Sequence, residues 1–390
     1  MAESAGQRTM LGRVWRIAIC AALGAGFLAN HLAGTGRWSE LRGLALAFTA
    51  IVWATAIVRG PIRNALLSAA SLVLCFIAFE AYCVVTYPSA IDIQTPGYRV
   101  WRPVIGWGPE HAGIFHHVKL DGGDGHVIYS TDYTIDANLT RHVVSAATPP
   151  TVAFFGDSMT FGIGIPDKET LPQVFADTTG RRFRVFNLAI SGFGPQQYLR
   201  AIEAGLYDKL LTPTRVIVYL TAPWHAERSA CLRGFMLRAP RYALVAGKPQ
   251  FEGTCGELWS NRLRALLSIT AVTGHFVEPS LGRADREAID LYVAILVRAG
   301  KFGREKYGAR AVILYLRDPA YLRHTGYTDE QIMQRLRDGG LTVIDATLDQ
   351  AKFPGQPLYI PGDGHPTGTA NRARAELLAR DLGDLTTAPW

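Results

Sequence analysis

The sequence predicts an α/β fold, a parallel sheet covered by helices on both faces, set behind a hydrophobic N-terminal anchor. Three observations lead there. From residue 151 onward, short apolar stretches of strand length alternate with segments of helical period. Those stretches are apolar on both faces, as strands of a doubly covered parallel sheet are. Before residue 88 the chain carries three long apolar runs instead. Composition agrees: 48% of the 390 residues are hydrophobic and only 19% charged. Soluble domains carry about 25% charge, which argues against disorder and against a wholly soluble chain.

The apolar runs are Ile17–Ala33, Leu44–Val58 and Ala65–Tyr87. A spanning helix needs about 20 apolar residues. The third run meets this, the first barely does, and the second is short enough that its failure to span is the main rival reading. A cleaved signal peptide is the rival for the first run. Trp15, Trp38, Trp53, Tyr82 and Tyr87 stand near run ends, where interfacial belts form. Residues 1–87 hold seven Arg and three Glu and no Lys, a charge of +4 out of the total +7. Arg8, Arg13 and Arg16 precede the first run, and Arg59 and Arg63 separate the second from the third. The positive-inside tendency then places the N-terminus in the cytoplasm and, after three spans, residues 88–390 outside it. The same distribution excludes a nucleic-acid footprint, which would put the excess on the folded domain. Glu80 inside the third run reads as a carboxylate close enough to the helix end to snorkel or stay protonated, with a functional intramembrane carboxylate as the alternative.

Three divisions follow: a membrane anchor over 1–87, an extracytoplasmic lead-in arm over 88–150, and a catalytic domain over 151–390. In the lead-in, Tyr98–Pro109 reads as an irregular docking arm and Val127–Asp136 as a strand pair. His111, His116, His117, Asp121, Asp124 and His126 crowd together, but their spacing fits no metal template, and Asp121-Gly122-Gly123-Asp124-Gly125 has turn composition. No metal or organic cofactor is expected. Cys20, Cys75 and Cys83 lie in the apolar runs; Cys231 and Cys255 are the only cysteines beyond them and form a plausible bridge, with two buried thiols as the alternative.

The catalytic domain reads, in order, as strand Thr151–Phe155, helix Thr170–Thr179, strand Phe183–Ala189, helix Pro195–Lys209 and strand Arg215–Leu220. A hairpin over Arg241–Gly253 and helices over Leu258–Phe276 and Ala284–Tyr307 follow. Strand Ala309–Leu316, helix Thr328–Arg337, strand Leu341–Ala346 and helix Thr369–Leu382 complete the pattern.

Three short motifs carry chemistry. Gly156-Asp157-Ser158-Met159-Thr160-Phe161-Gly162 follows the first strand, and ligands of open parallel sheets bind beyond the strands' carboxyl ends. Ser158 would present its hydroxyl there, with its N–H aimed outward. Asn187-Leu188-Ala189-Ile190-Ser191-Gly192 follows the second strand, and Gly192 lets backbone approach a ligand. Gly362-Asp363-Gly364-His365-Pro366 precedes the last helix. Asp363 can reach Nδ1 of His365, fix its tautomer and leave Nε2 to take a serine proton.

In order, spacing and strand-end placement these motifs resemble those of the SGNH (GDSL-type) hydrolase superfamily. The resemblance covers about residues 151–382 and implies a flavodoxin-like three-layer sandwich. It implies Ser158 as nucleophile, with Asp363 and His365 completing a triad in the shorter Asp-x-His form. It implies the N–H groups of Ser158 and Gly192 as oxyanion donors. The block after the third strand departs: where the family usually carries Gly-x-Asn-Asp, this chain reads Thr221-Ala222-Pro223-Trp224-His225-Ala226-Glu227-Arg228. Pro223 stands at the Asn position and has no N–H. His225 or Arg228 is therefore expected to supply the missing donor. The expected activity is hydrolysis of O-acyl esters, on an envelope glycan or a lipid because the anchor confines the site near a membrane. Acyl transfer to or from polysaccharide, with a membrane acyl-transfer partner, and a non-catalytic glycan-binding module are the alternatives.

Overall fold

The computed structural model describes residues 39–383. Its contacts group the chain into two compact units: Leu267–Pro279 joins the residues up to Ser89, and Ala90–Leu266 joins the residues from Ser280 onward.

In the first unit, helices Ser39–Ile57 and Pro61–Thr86 stand where the second and third apolar runs were read. Pro61 starts the second of them, a position where its missing N–H costs nothing. Of the described helices, Pro61–Thr86 alone is long and apolar enough to cross a membrane. The stretch Leu41–Ile57 is apolar but shorter, and the first run lies outside the described residues. Glu80 does not snorkel. Its side chain is 0% exposed and accepts the backbone N–H groups of Ala271 (2.6 Å) and Val272 (2.8 Å). A buried carboxylate needs such donors, and these are the unpaired amides that open helix Ala271–Phe276. Phe79 stacks on Phe276, and Tyr87 on His275, alongside that contact.

The second unit begins with strands β1 (Ile91–Gln94), β2 (Val100–Arg102), β3 (Gly106–Gly108), β4 (Gly113–Leu120) and β5 (Val127–Ile135). The expected strand pair over 127–136 is instead one strand; its partner is β4, and the Asp-Gly-rich stretch forms the turn between them. β1 extends this antiparallel sheet from the other edge of β4.

The central sheet is parallel. Its strands β6 (Thr151–Phe155), β7 (Arg184–Asn187), β8 (Val216–Thr221), then β11 (Arg310–Tyr315) and β12 (Thr342–Asp345), lie in the order β12-β11-β8-β6-β7. Between them in sequence, β9 (Pro240–Val245) and β10 (Lys248–Thr254) form a separate hairpin. Numbered within the central sheet the order is 2-1-3-4-5, the flavodoxin-like arrangement. β6 and β8 are buried at every position, which their Val, Ile, Phe and Tyr content requires of strands covered on both faces. On one face helices Pro195–Glu203 and Arg286–Tyr307 pack on Phe155, Ile217, Tyr219 and Ile313. On the other, Leu171–Thr178 and Gly368–Gly383 cover Val152, Phe154, Val218 and Leu314. The predicted α/β/α sandwich is the fold observed.

Two helices are shorter than the periodicity implied. The helix predicted over Pro195–Lys209 ends at Glu203, because the amides of Gly205 and Leu206 turn back onto the carbonyls of Ile202 and Ala201. The stretch Leu258–Phe276 breaks into Trp259–Leu267 and Ala271–Phe276, with Thr270 capping the second piece. Cys231 and Cys255 are joined as a disulfide with Cα atoms 5.5 Å apart, inside the normal range.

Arg141 ties the lead-in to the sandwich. Its backbone bridges Ile135 and Asn187. Its buried guanidinium bonds Asp167 (2.8 Å) and the carbonyls of Phe161, Gly162 and Ile165, and it lies over the rings of Tyr133 and Phe161. One side chain thus fixes the loop that follows Ser158.

Candidate active site

Ser158 opens the four-residue helix Ser158–Phe161 at the carboxyl end of β6. It is 8% exposed. Asp157 precedes it and accepts the N–H of Met159 (2.9 Å). Beyond β7, Asn187 donates to the Thr160 carbonyl (3.2 Å) and accepts from the Ala189 amide (3.2 Å), which binds the second motif to the first. Gly192 follows with φ +82°, a backbone state that side-chain-bearing residues resist. Among the described residues, the amides of Ser158 and Gly192 donate to no protein acceptor. Two unengaged N–H groups at adjacent strand ends are what an oxyanion requires.

The turn 362–366 brings His365 to the same edge. The Ile360 amide donates to the His365 carbonyl (2.8 Å), and Ile360 Cδ1 approaches within 2.6 Å of where a Cβ on Gly164 would stand. The loop leaving Ser158 and the turn carrying His365 therefore abut. Asp363 Oδ2 hydrogen-bonds His365 Nδ1 and also accepts the His365 amide. No hydrogen bond joins Ser158 Oγ to His365 Nε2 among the described residues, so the expected nucleophile–base hydrogen bond is not made here. Such bonds are commonly loose without substrate and close in the complex.

Lys119 of β4 completes this cluster. Its Nζ lies 2.5 Å from Asp363 Oδ1, across 244 positions of sequence. Burial pushes the Asp363 carboxyl up, but hydrogen bonds from His365 and Lys119 outweigh it and hold the group well below the ordinary carboxylate range. The lead-in is thus part of the site. Lys119→Met should lower kcat/KM about tenfold, the value of one charge-assisted hydrogen bond. Without the cation Asp363 binds its proton more readily, so activity on the acid side should fail at higher pH than in the wild type. Superimposable pH profiles of kcat/KM would show that Lys119 does not act through Asp363.

His225 and Arg228 lie elsewhere than expected. His225 is buried, and both ring nitrogens are engaged: Nε2 with Asp157 Oδ2 (3.0 Å) and Nδ1 with Thr221 Oγ1 (2.9 Å). It has no N–H left for an oxyanion. Arg228 Nη1 bonds the same Asp157 oxygen (2.8 Å) and the Phe193 carbonyl (2.6 Å). Both residues serve Asp157, whose charge is enclosed at the base of the Ser158 turn. Burial raises the Asp157 carboxyl, but His225 and Arg228 overcome this and hold it far below its usual value. Burial pushes His225 down, toward the neutral ring. A neutral ring that donates from Nε2 must accept at Nδ1, so Thr221 donates there and in turn accepts from Tyr292 (3.0 Å). This chain of hydrogen bonds ties the turn that carries Ser158 to β8 and to the helix of Tyr292.

His117 of the lead-in holds structure. His117 bonds Asp92, Gln94 and Tyr133, and Tyr133 accepts the Gly164 amide. Asp121, Asp124 and His126 bring ligand-type atoms within 4.8 Å of one another, but Asp121 and Asp124 accept backbone amides of the turn itself.

No family profile matches the sequence. No curated protein matches it either. Solved structures do align with the chain. One is a member of the lipolytic protein G-D-S-L family from Veillonella parvula, 16% identical, covering 61% of this chain and 99% of its own, with a TM-score of 0.35. TesA is 15% identical over 60% of this chain and 99% of its own, TM-score 0.35. The psychrotrophic esterase EstA from Pseudoalteromonas sp. is 12% identical over 62% and 100%, TM-score 0.34. The site's own residues carry the functional reading.

Sequence reasoning placed Ser158 and Gly192 after the first two strands of the sheet and Asp363 and His365 just before the last helix. It missed Lys119 and the role of Asp157. Lys119 sits in an alternating strand with no local signal. Asp157 lay inside a motif, but its partners are about 70 positions away.

Proposed function

We propose that this chain is a serine ester hydrolase of the SGNH type. The observation that supports it best is the pairing of a buried, ionised Asp363 with His365 Nδ1, beside two unengaged amides at Ser158 and Gly192. In this reading Ser158 Oγ attacks the acyl carbonyl while His365 Nε2 takes its proton. The amides of Ser158 and Gly192 receive the oxyanion. The alcohol leaves with the proton from His365. Water then enters by the same route reversed, releasing the acid and restoring Ser158. The substrate class is an O-acyl ester of an envelope glycan or lipid, met outside the cytoplasm by a domain anchored through the N-terminal helices.

A phosphonylating serine probe followed by peptide mass spectrometry tests the chemistry. The adduct is expected on Ser158 alone, together with turnover of a short-chain chromogenic ester. Absence of both favours a non-catalytic binding module. For the topology, a reporter fused after Trp390 should be active only on the extracytoplasmic side; cytoplasmic activity would overturn the orientation.

A further inference from the structure

Beside Gly192 lies a cation that the described part of the fold leaves unused. Arg99 is exposed and, among the described residues, has no hydrogen-bond or ion-pair partner. Its guanidinium lies 4.5 Å above the Trp107 ring. Trp107 is itself fixed, donating from Nε1 to the Ser191 carbonyl (2.9 Å). The stack holds Arg99 Nη2 3.4 Å from where a Cβ on Gly192 would sit, and Phe235 Cε2 comes within 3.6 Å of the same point. Phe235 is 50% exposed. An unpaired guanidinium and a half-bare aromatic ring therefore meet beside Gly192, whose amide is a candidate oxyanion donor.

Each half has a chemical consequence. A guanidinium presents a planar fork that fits a carboxylate in two hydrogen bonds. Stacking on Trp107 fixes its direction in advance, which lowers the entropy lost on binding. An aromatic face beside it suits the apolar C–H face of a sugar ring. Arg228, close by, is neutralised by Asp157, so it does not compete for an anion as Arg99 does.

We propose that Arg99 and Phe235 form a subsite for an acidic sugar, so that the ester this site acts on is carried by a uronic-acid-containing glycan. The proposal rests on the hydrolase reading for the ester and on Arg99 for the acid. The acyl carbonyl would sit at the Ser158 and Gly192 amides, with the neighbouring carboxylate on Arg99.

The test compares acetylated oligogalacturonate with acetylated xylo-oligosaccharide as substrates of the full chain. The wild type should favour the acidic oligomer in kcat/KM, and the preference should shrink with added salt. Arg99→Gln should lower the acidic-over-neutral ratio about tenfold, mainly through KM; Arg99→Lys should recover part of it, and Phe235→Ala should weaken both substrates. Equal ratios in wild type and Arg99→Gln would overturn the proposal. Calorimetric binding of unacetylated oligogalacturonate to Ser158→Ala protein separates the two readings. Arg99-dependent binding without turnover of any ester by the wild type would uphold the subsite and remove the hydrolase. Turnover without Arg99-dependent binding would do the reverse.

Discussion

Ser158→Ala is expected to fold normally and to lose ester turnover by about 10⁶-fold, the size of loss seen when a serine nucleophile is deleted from an intact triad. The side chain makes no hydrogen bond that the fold depends on among the described residues, so its loss should leave thermal unfolding close to the wild type. His365→Ala should fall in the same range, and the double variant should be little worse than either single one. Non-additivity of that kind marks groups that act as a unit. Rates with a short-chain chromogenic ester, alongside melting curves, check both statements. Full activity in a well-folded Ser158→Ala protein would remove Ser158 from the chemistry and with it the hydrolase reading.

The largest stability effect is expected at Asp157. Replacing it by Ala leaves the His225 N–H unpaired in a buried site and takes the counter-charge from Arg228. Breaking one partner out of a buried ionic cluster costs about 3–5 kcal/mol. For a unit of this size that corresponds to roughly 10 °C in melting temperature. Asp157→Asn keeps the shape and an acceptor for Met159 but not the charge, and should fall between. The pH dependence has a definite sign. A carboxyl held below its unfolded value near 3.9 contributes stability that is complete above roughly pH 5 and is lost as pH falls toward its folded value. The gap between wild type and Asp157→Asn in denaturant midpoint should therefore be constant near neutrality and narrow in acid. A gap that stays constant through that acid range would mean that Asp157 is not ionised in the fold. Activity should fall with stability in both variants, because Ser158 stands on the turn that Asp157 caps.

The local order of the chain was legible without coordinates. β6, β8 and β11 are strand-length apolar runs, and helices alternate with them, so a parallel sheet covered on both faces follows from periodicity. Ser158, Gly192, Asp363 and His365 stand out as candidates because each sits in a short motif whose residue types suit a strand-to-helix turn or a tight loop. Such signals live within a few residues, where backbone geometry and one side chain decide the conformation.

What tertiary structure alone decided involves residues with no such signal. His225 and Arg228 stood nearest the vacant Asn position and carried N–H groups, so local reasoning pointed them at the oxyanion. The fold instead buries Asp157 beneath them, and a buried carboxylate takes the nearest cation and imidazole before a substrate can. Glu80 read as a residue that reaches for water, yet the open amides of a helix some 190 positions later satisfy it in place. Lys119 sits in a strand of the lead-in, 244 positions from the aspartate it pairs with. Charge pairing over such separations depends on which surfaces packing brings together and which groups it dehydrates. Neither quantity is written in the spacing of residues along the chain.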